Sequence, residues 1–217
     1  MEIQNDGGNW IGYLIGGQNA NSRLVKLNFG TSVANTPTAT NLGNIGGLSF
    51  PVDFTLIKDG ASWYGFTVSA DNSTITKYSF GNSLNNIPIA TNLGNIGGMN
   101  YPVGFFLLKD GTNYHLFITN RNSSSITRLN FGTSMANIPT GINLGNPGNN
   151  LNLPRDITLI KDCGNIFGFA TNEGDNSITR LDFNNNVLST PVSSNIGNIV
   201  LSIIRIPFLR SSGPVMP

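Results

Sequence analysis

The sequence predicts an all-β fold, a β-propeller built from four-stranded antiparallel blades, and three observations predict it. The first is a phrase stated four times. Asn41-Leu42-Gly43-Asn44 returns as Asn92-Leu93-Gly94-Asn95, Asn143-Leu144-Gly145-Asn146 and Asn195-Ile196-Gly197-Asn198, at steps of 51, 51 and 52 residues. A period of this size marks a solenoid, a propeller or an array, because one such unit cannot bury its own apolar faces. The second is that each period holds four short apolar or alternating runs bounded by Gly, Asn, Asp and Ser, which reads as four strands and their turns. The third is composition: 33 Asn and 26 Gly among 217 residues supply many tight turns. Ile, Val, Thr and Phe fill the runs between them. No stretch carries helical periodicity long enough to compete. A β-solenoid would have shorter coils and no need of four turns per unit.

The repeats are placed at about 1–47, 48–98, 99–150 and 151–200 of a single domain, with 201–210 as a closing strand and 211–217 as a tail. The second repeat shows the elements best. Its first run is read over Phe50 to Gly60, its second over Trp63 to Ser69, its third over Thr74 to Phe80 and its fourth over Ile87 to Leu93. In the third strand Thr76, Tyr78 and Phe80 share a face, as do Thr127, Leu129, Phe131 and Thr179, Leu181, Phe183. That face is expected to pack, while the opposite one, with Ile75, Lys77 and Ser79, is mixed. Asp6 to Trp10 aligns with Asp59 to Trp63, so the first unit is expected to lack its opening strand. Ile203 to Leu209 then supplies that strand and removes an unpaired edge. Pro207 falls where Asp53, Gly104 and Asp156 stand, a poor residue for a paired strand. The alternative is that the tail leads on into a larger propeller.

Phe169-Ala170-Thr171-Asn172-Glu173-Gly174-Asp175-Asn176-Ser177-Ile178-Thr179-Arg180-Leu181-Asp182 resembles the repeat of YVTN and NHL-type β-propellers, in which two strands flank an Asn-bearing turn. Phe117 to Asn130 resembles it too, and Phe66 to Ser79 is a degraded copy. The resemblance covers about a third of each repeat and implies the fold. It implies little about activity, since such propellers include surface proteins, scaffolds, lactonases and lyases.

Composition excludes several functions. With 12 Lys+Arg against 11 Asp+Glu, no basic field exists to recruit nucleic acid. No apolar run is long enough to span a bilayer. Cys163 is the only cysteine and replaces the Gly60 and Gly111 of other repeats, so it reads as an idle or packed thiol rather than a nucleophile. The N-terminus lacks the regions of a signal peptide, so the chain is intracellular or an excised segment of a larger protein. The Asn, Gly, Ser and Thr-rich, charge-poor composition favours an extracellular or cell-surface setting.

Candidate sites come from residues that keep the repeat step. Asp53 and Asp156 share a position on the innermost strands and are expected to face each other across the channel, where they could hold an axial cation; otherwise no cofactor is implied. Trp10, Trp63 and Tyr114 are equivalent aromatics that could stack on sugar rings, against the plainer reading of blade packing. Lys26, Lys77, Arg128 and Arg180 recur on what reads as a solvated strand face, and Lys58-Asp59, Lys109-Asp110 and Lys161-Asp162 read as turn chemistry. His115 stands where Tyr64 and Phe167 do, which argues for a space-filling ring.

Near-identical units seldom carry one asymmetric catalytic centre. The sequence therefore points to a non-enzymatic binding or scaffolding module with a protein or glycan ligand. The alternatives are a channel-site, metal-dependent enzyme of the lactonase or lyase type, and a structural propeller that self-associates through its blade edges.

Overall fold

The computed structural model describes residues 1–198. Its strands form four separate four-stranded sheets, each an up-and-down antiparallel ribbon paired in chain order. Blade 1 holds β1 (Glu2–Asp6), β2 (Asn9–Gly16), β3 (Arg23–Gly30) and β4 (Thr38–Gly43). Blade 2 holds β5 (Pro51–Asp59), β6 (Ser62–Ser69), β7 (Thr74–Gly81) and β8 (Ile89–Gly94). Blade 3 follows with β9 (Pro102–Asp110), β10 (Asn113–Asn120), β11 (Ser125–Gly132) and β12 (Thr140–Asn143). Blade 4 comprises β13 (Pro154–Asp162), β14 (Asn165–Asn172), β15 (Ser177–Asp182) and β16 (Val192–Asn198).

The four blades match the four repeats, with one correction. Glu2–Asp6 pairs with β2 as the innermost strand of blade 1, so the place assigned to residues 201–210 is already taken. The Asp6-Gly7-Gly8-Asn9 turn makes this possible, because Gly7 and Gly8 both adopt positive φ. The proposed closing strand itself lies outside the described residues.

Three apolar cores lie between successive blades rather than within them. Ile11 and Tyr13 of blade 1 meet Phe54, Leu56, Tyr78 and Phe80 of blade 2. Phe66 and Ile75 of blade 2 meet Phe105, Leu116 and Phe131 of blade 3, with Phe66 and Phe131 ring to ring at 5.1 Å. Phe117 and Ile126 of blade 3 meet Leu159, Leu181 and Phe183 of blade 4. Each central blade is thus covered on both faces, which overturns the expectation of one packed face: Ile75 and Tyr78, on opposite faces of β7, are both fully buried.

The recurring cations are corrected with it. Lys77 and Arg128 are buried, and each reaches into the loop of the next blade. Lys77 Nζ donates to the carbonyls of Ala136 (2.7 Å) and Asn137 (3.3 Å), and Arg128 Nη1 to those of Val187 (2.8 Å) and Ser189 (3.2 Å). Lys26 Nζ makes the same bond to Asn85 O at 2.7 Å. A buried cation needs such partners, since an uncompensated one is costly. Burial pulls all three below their usual pKa.

The turn aspartates also join blades. Asp6 accepts from Trp63 Nε1 (3.0 Å), Ser83 Oγ (2.7 Å) and Leu84 N (2.8 Å) of blade 2. Asp59 accepts from Tyr114 OH (3.1 Å), Ser134 Oγ (2.9 Å) and Met135 N (3.0 Å) of blade 3. Burial pushes both carboxyls up, but these donors outweigh it and hold them below the usual range. They are inter-blade acceptors as well as turn residues.

Candidate functional site

The end of the propeller where the innermost strands begin carries the most chemistry. In blades 2, 3 and 4 the residue before the strand is bulky yet lies at positive φ: Phe50 (52°), Tyr101 (53°) and Leu153 (48°). Side chains of this kind seldom adopt that region, and such strain persists only where the surroundings impose it. Here the imposing bonds are visible. Tyr101 N donates to Ser73 Oγ and Leu153 N to Ser124 Oγ, both on the preceding blade. The carbonyls of Phe50, Tyr101 and Leu153 accept from Ala70, Arg121 and Glu173 of their own blades.

After each of these residues comes a proline and a break in register, between Pro51 and Asp53 and between Pro154 and Asp156. Such bulges re-aim the side chain that follows. Asp53 Oδ1 accepts from Phe54 N (2.8 Å) and its Oδ2 from Phe105 N of blade 3 (3.3 Å). Asp156 Oδ1 accepts from Ile157 N at 2.8 Å. A Cβ at Gly104 would lie 3.0 Å from Asp156 Oδ1 and 2.5 Å from Arg155 O, so only glycine fits there. The two aspartates therefore bracket Gly104 and Phe105 of β9 from either side. They come from the blades on the two sides of blade 3 and meet its innermost strand at adjacent residues. Among the described residues no three His, Cys, Asp or Glu side chains gather as a metal site.

Around the same end stand groups that the repeat does not announce. Glu173 Oε2 accepts from Arg121 Nε (2.9 Å) and Arg155 Nε (3.0 Å), and the bond that Arg121 donates to Glu173 raises the Arg121 pKa. The rings of Phe50 and Tyr101 lie 6.4 Å apart at 43°. A reading built on recurrence passes over Arg121 and Glu173 because they stand where blade 2 has Ala70 and carry opposite charges. That departure from the repeat was the available signal.

The aromatic candidates lie elsewhere. β5 runs from Asp53 to Lys58 over five residues, about 16 Å of strand, to the opposite end. There a cleft of about 470 Å³ is lined by Gln4, Leu56, Ile57, Lys58, Trp63, Lys109 and Tyr114. Trp63 and Tyr114 are only 6% and 3% exposed, bonded to Asp6 and Asp59. Their ring faces are taken by Lys58 Nζ at 5.4 Å and Lys109 Nζ at 4.9 Å. Stacking on a sugar would need those faces open, so the geometry assigns both rings to blade packing. Trp10 is half-buried on the outer face of blade 1, apart from the other two. His115 is buried on the blade 3 face toward blade 4 and its Nδ1 has no hydrogen-bond partner among the described residues.

No family model and no curated relative matches the sequence. Solved structures do match its fold. The catalytic domain of the GH62 α-L-arabinofuranosidase from Coprinopsis cinerea superposes with a TM-score of 0.53 at 14% identity, over 87% of this chain and 65% of that one. An endo-arabinase from Bacteroides thetaiotaomicron gives 0.53 at 14% identity, over 90% and 80%. A GH43_1 enzyme from Xanthomonas citri gives 0.50 at 9% identity, over 89% and 72%. The chain thus spans a little under two thirds of the arabinofuranosidase domain. The expectation of a non-enzymatic binding or scaffolding module is corrected by these neighbours, each of which is an enzyme. Its premise also fails, because the blades differ where their innermost strands begin: Asp53 and Asp156 flank a glycine, and only one turn carries the glutamate held by two arginines. The likeness establishes the all-β propeller architecture.

Proposed function

We propose that this propeller is a glycan-processing enzyme acting on glycosidic bonds at the end where its innermost strands begin. The observation that carries the reading is the pair of carboxylates, Asp53 and Asp156, aimed by matching bulges at the two sides of Gly104. Glycoside hydrolysis uses two carboxyl groups flanking the scissile bond, one protonating the leaving oxygen and one acting as base or nucleophile. Amide donors from Phe54 and Phe105 fix the orientation of the Asp53 carboxyl, which suits it to the second role. Phe50 and Tyr101 offer ring surface for a sugar, and the Arg121–Glu173–Arg155 triad offers donors and acceptors for its hydroxyls. The neighbours named above are an arabinofuranosidase, an endo-arabinase and a GH43_1 enzyme, so arabinose-containing polysaccharides are the first substrates to try. A polysaccharide substrate also fits the extracellular setting that the composition favours.

The test is sugar release from arabinan, arabinoxylan and aryl arabinofuranosides. Asp53→Asn and Asp156→Asn should each lower kcat/KM by about 10²–10⁴-fold, the usual contribution of a positioned acid or base, with melting temperature unchanged. Release from none of these substrates, or release that both variants retain, would remove the proposal.

A further inference from the structure

Blades 1 and 4 each carry half of a junction that the chain builds three times elsewhere. The forward face of a blade presents an aromatic residue, Tyr13, Phe66 or Phe117, each fully buried by the next blade. Phe169 is the same residue in blade 4 and is half-exposed. Beside it Arg180, the counterpart of Lys26, Lys77 and Arg128, is exposed and makes none of their carbonyl bonds among the described residues, and Asp162, the counterpart of Asp6 and Asp59, is also exposed.

Blade 1 shows the receiving half. Leu84, Met135 and Val187, which plug into the preceding blade, are at most 3% exposed, yet their equivalent Val33 is 51% exposed. Leu27 and Phe29 are half-exposed where Tyr78 and Phe80, Leu129 and Phe131, and Leu181 and Phe183 are buried. End repeats of such arrays normally turn polar on the outside. These do not.

We infer that a second copy of this chain docks head to tail, blade 4 of one molecule onto blade 1 of the next. The three junctions within the chain state the contacts. Arg180 reaches the carbonyls of Ala34 and Asn35, the counterparts of Ala136 and Asn137 under Lys77. Asp162 accepts from Trp10 Nε1, Ser32 Oγ and Val33 N, the counterparts of the Trp63, Ser83 and Leu84 donors to Asp6. Phe169 covers Leu27 and Phe29. Cation meets carbonyl, carboxylate meets donor and ring meets apolar side chains, so the two faces complement each other and neither complements itself. Such a heterologous contact closes into a ring or runs on as a filament, according to its rotation. It does not depend on the proposed enzyme activity.

The experiment uses two single variants at exposed positions, Arg180→Glu and Val33→Glu, each checked for an unchanged melting temperature. Wild type should grow in mass with concentration by sedimentation velocity. Each variant alone should stay monomeric, because one of its faces is spoiled. Mixed, they should form a one-to-one dimer that grows no further, joining the intact blade 4 of Val33→Glu to the intact blade 1 of Arg180→Glu. A wild type that remains monomeric across a hundredfold concentration range would overturn the inference, leaving the faces to another blade or segment. Association that both variants retain would also overturn it, by placing the contact elsewhere.

Discussion

Phe117 and Phe169 hold the same place in successive blades, and so do Arg128 and Arg180, yet the first of each pair is buried while Phe169 is half-exposed and Arg180 exposed. Nothing in the local sequence separates the two arginines: Ser125-Ile126-Thr127-Arg128-Leu129 and Ser177-Ile178-Thr179-Arg180-Leu181 are identical. The difference is that blade 3 has a described neighbour on its forward side and blade 4 has none. A residue in this fold owes its energetic weight to the adjoining blade, which makes stability a sum of junctions more than of blades.

Substituting both members of each pair tests that claim, and the aromatic pair should show the largest effect. Phe117→Ala removes a ring packed edge-on against Phe183 at 5.2 Å and should cost about 3–5 kcal/mol in denaturant unfolding. Phe169→Ala, measured on dilute monomer, should cost well under half of that. Equal losses would mean that the forward face of blade 4 is covered and that the comparison is false.

The cation pair comes next. Arg128→Ala leaves the Val187 and Ser189 carbonyls without their charged donor and should cost about 1.5–3 kcal/mol. Arg180→Ala should stay within about 0.5 kcal/mol in the monomer, as surface substitutions do. A cost at Arg180 matching that at Arg128 would show a carbonyl partner already in place.

These pairs also show how far the sequence could be read. The repeat step located all four blades, and turn chemistry at Asn and Gly placed their strands, because both signals are local. The meaning of the recurring cations was not local. Lys77 alternates with apolar neighbours like any exposed strand residue, and its partners lie about 60 positions away in a loop of another blade. The short β1 was missed for a related reason: five residues with little apolar content make a strand only because β2 is there to pair with them. At the candidate site Asp53 and Asp156 were legible from their equivalence. Glu173, Arg121 and Arg155 were not, since recurrence was the search criterion and they break it.

The smallest effect sharpens the comparison at one more repeat position, where His115 is buried in the junction between blades 3 and 4 and its counterpart Phe167 is half-exposed. Burial lowers the His115 pKa, Arg128 and Lys161 lower it further, and Asp110 opposes them. The folded state therefore binds a proton less readily than the unfolded chain, whose histidine titrates near pH 6.5. Stability linked to this group is fully present above that pH and is lost as pH falls below it toward the folded value. Asp6 and Asp59 are held below their usual range, so their contribution is lost as pH falls below the unfolded value of 3.8. His115→Phe, which copies the residue of blade 4, should flatten the melting temperature just below about pH 6.5 and leave the acid limb due to the carboxylates unchanged. If the wild type shows no slope in that window, or if the Phe variant keeps it, the histidine is not held neutral by the blade 3–4 junction.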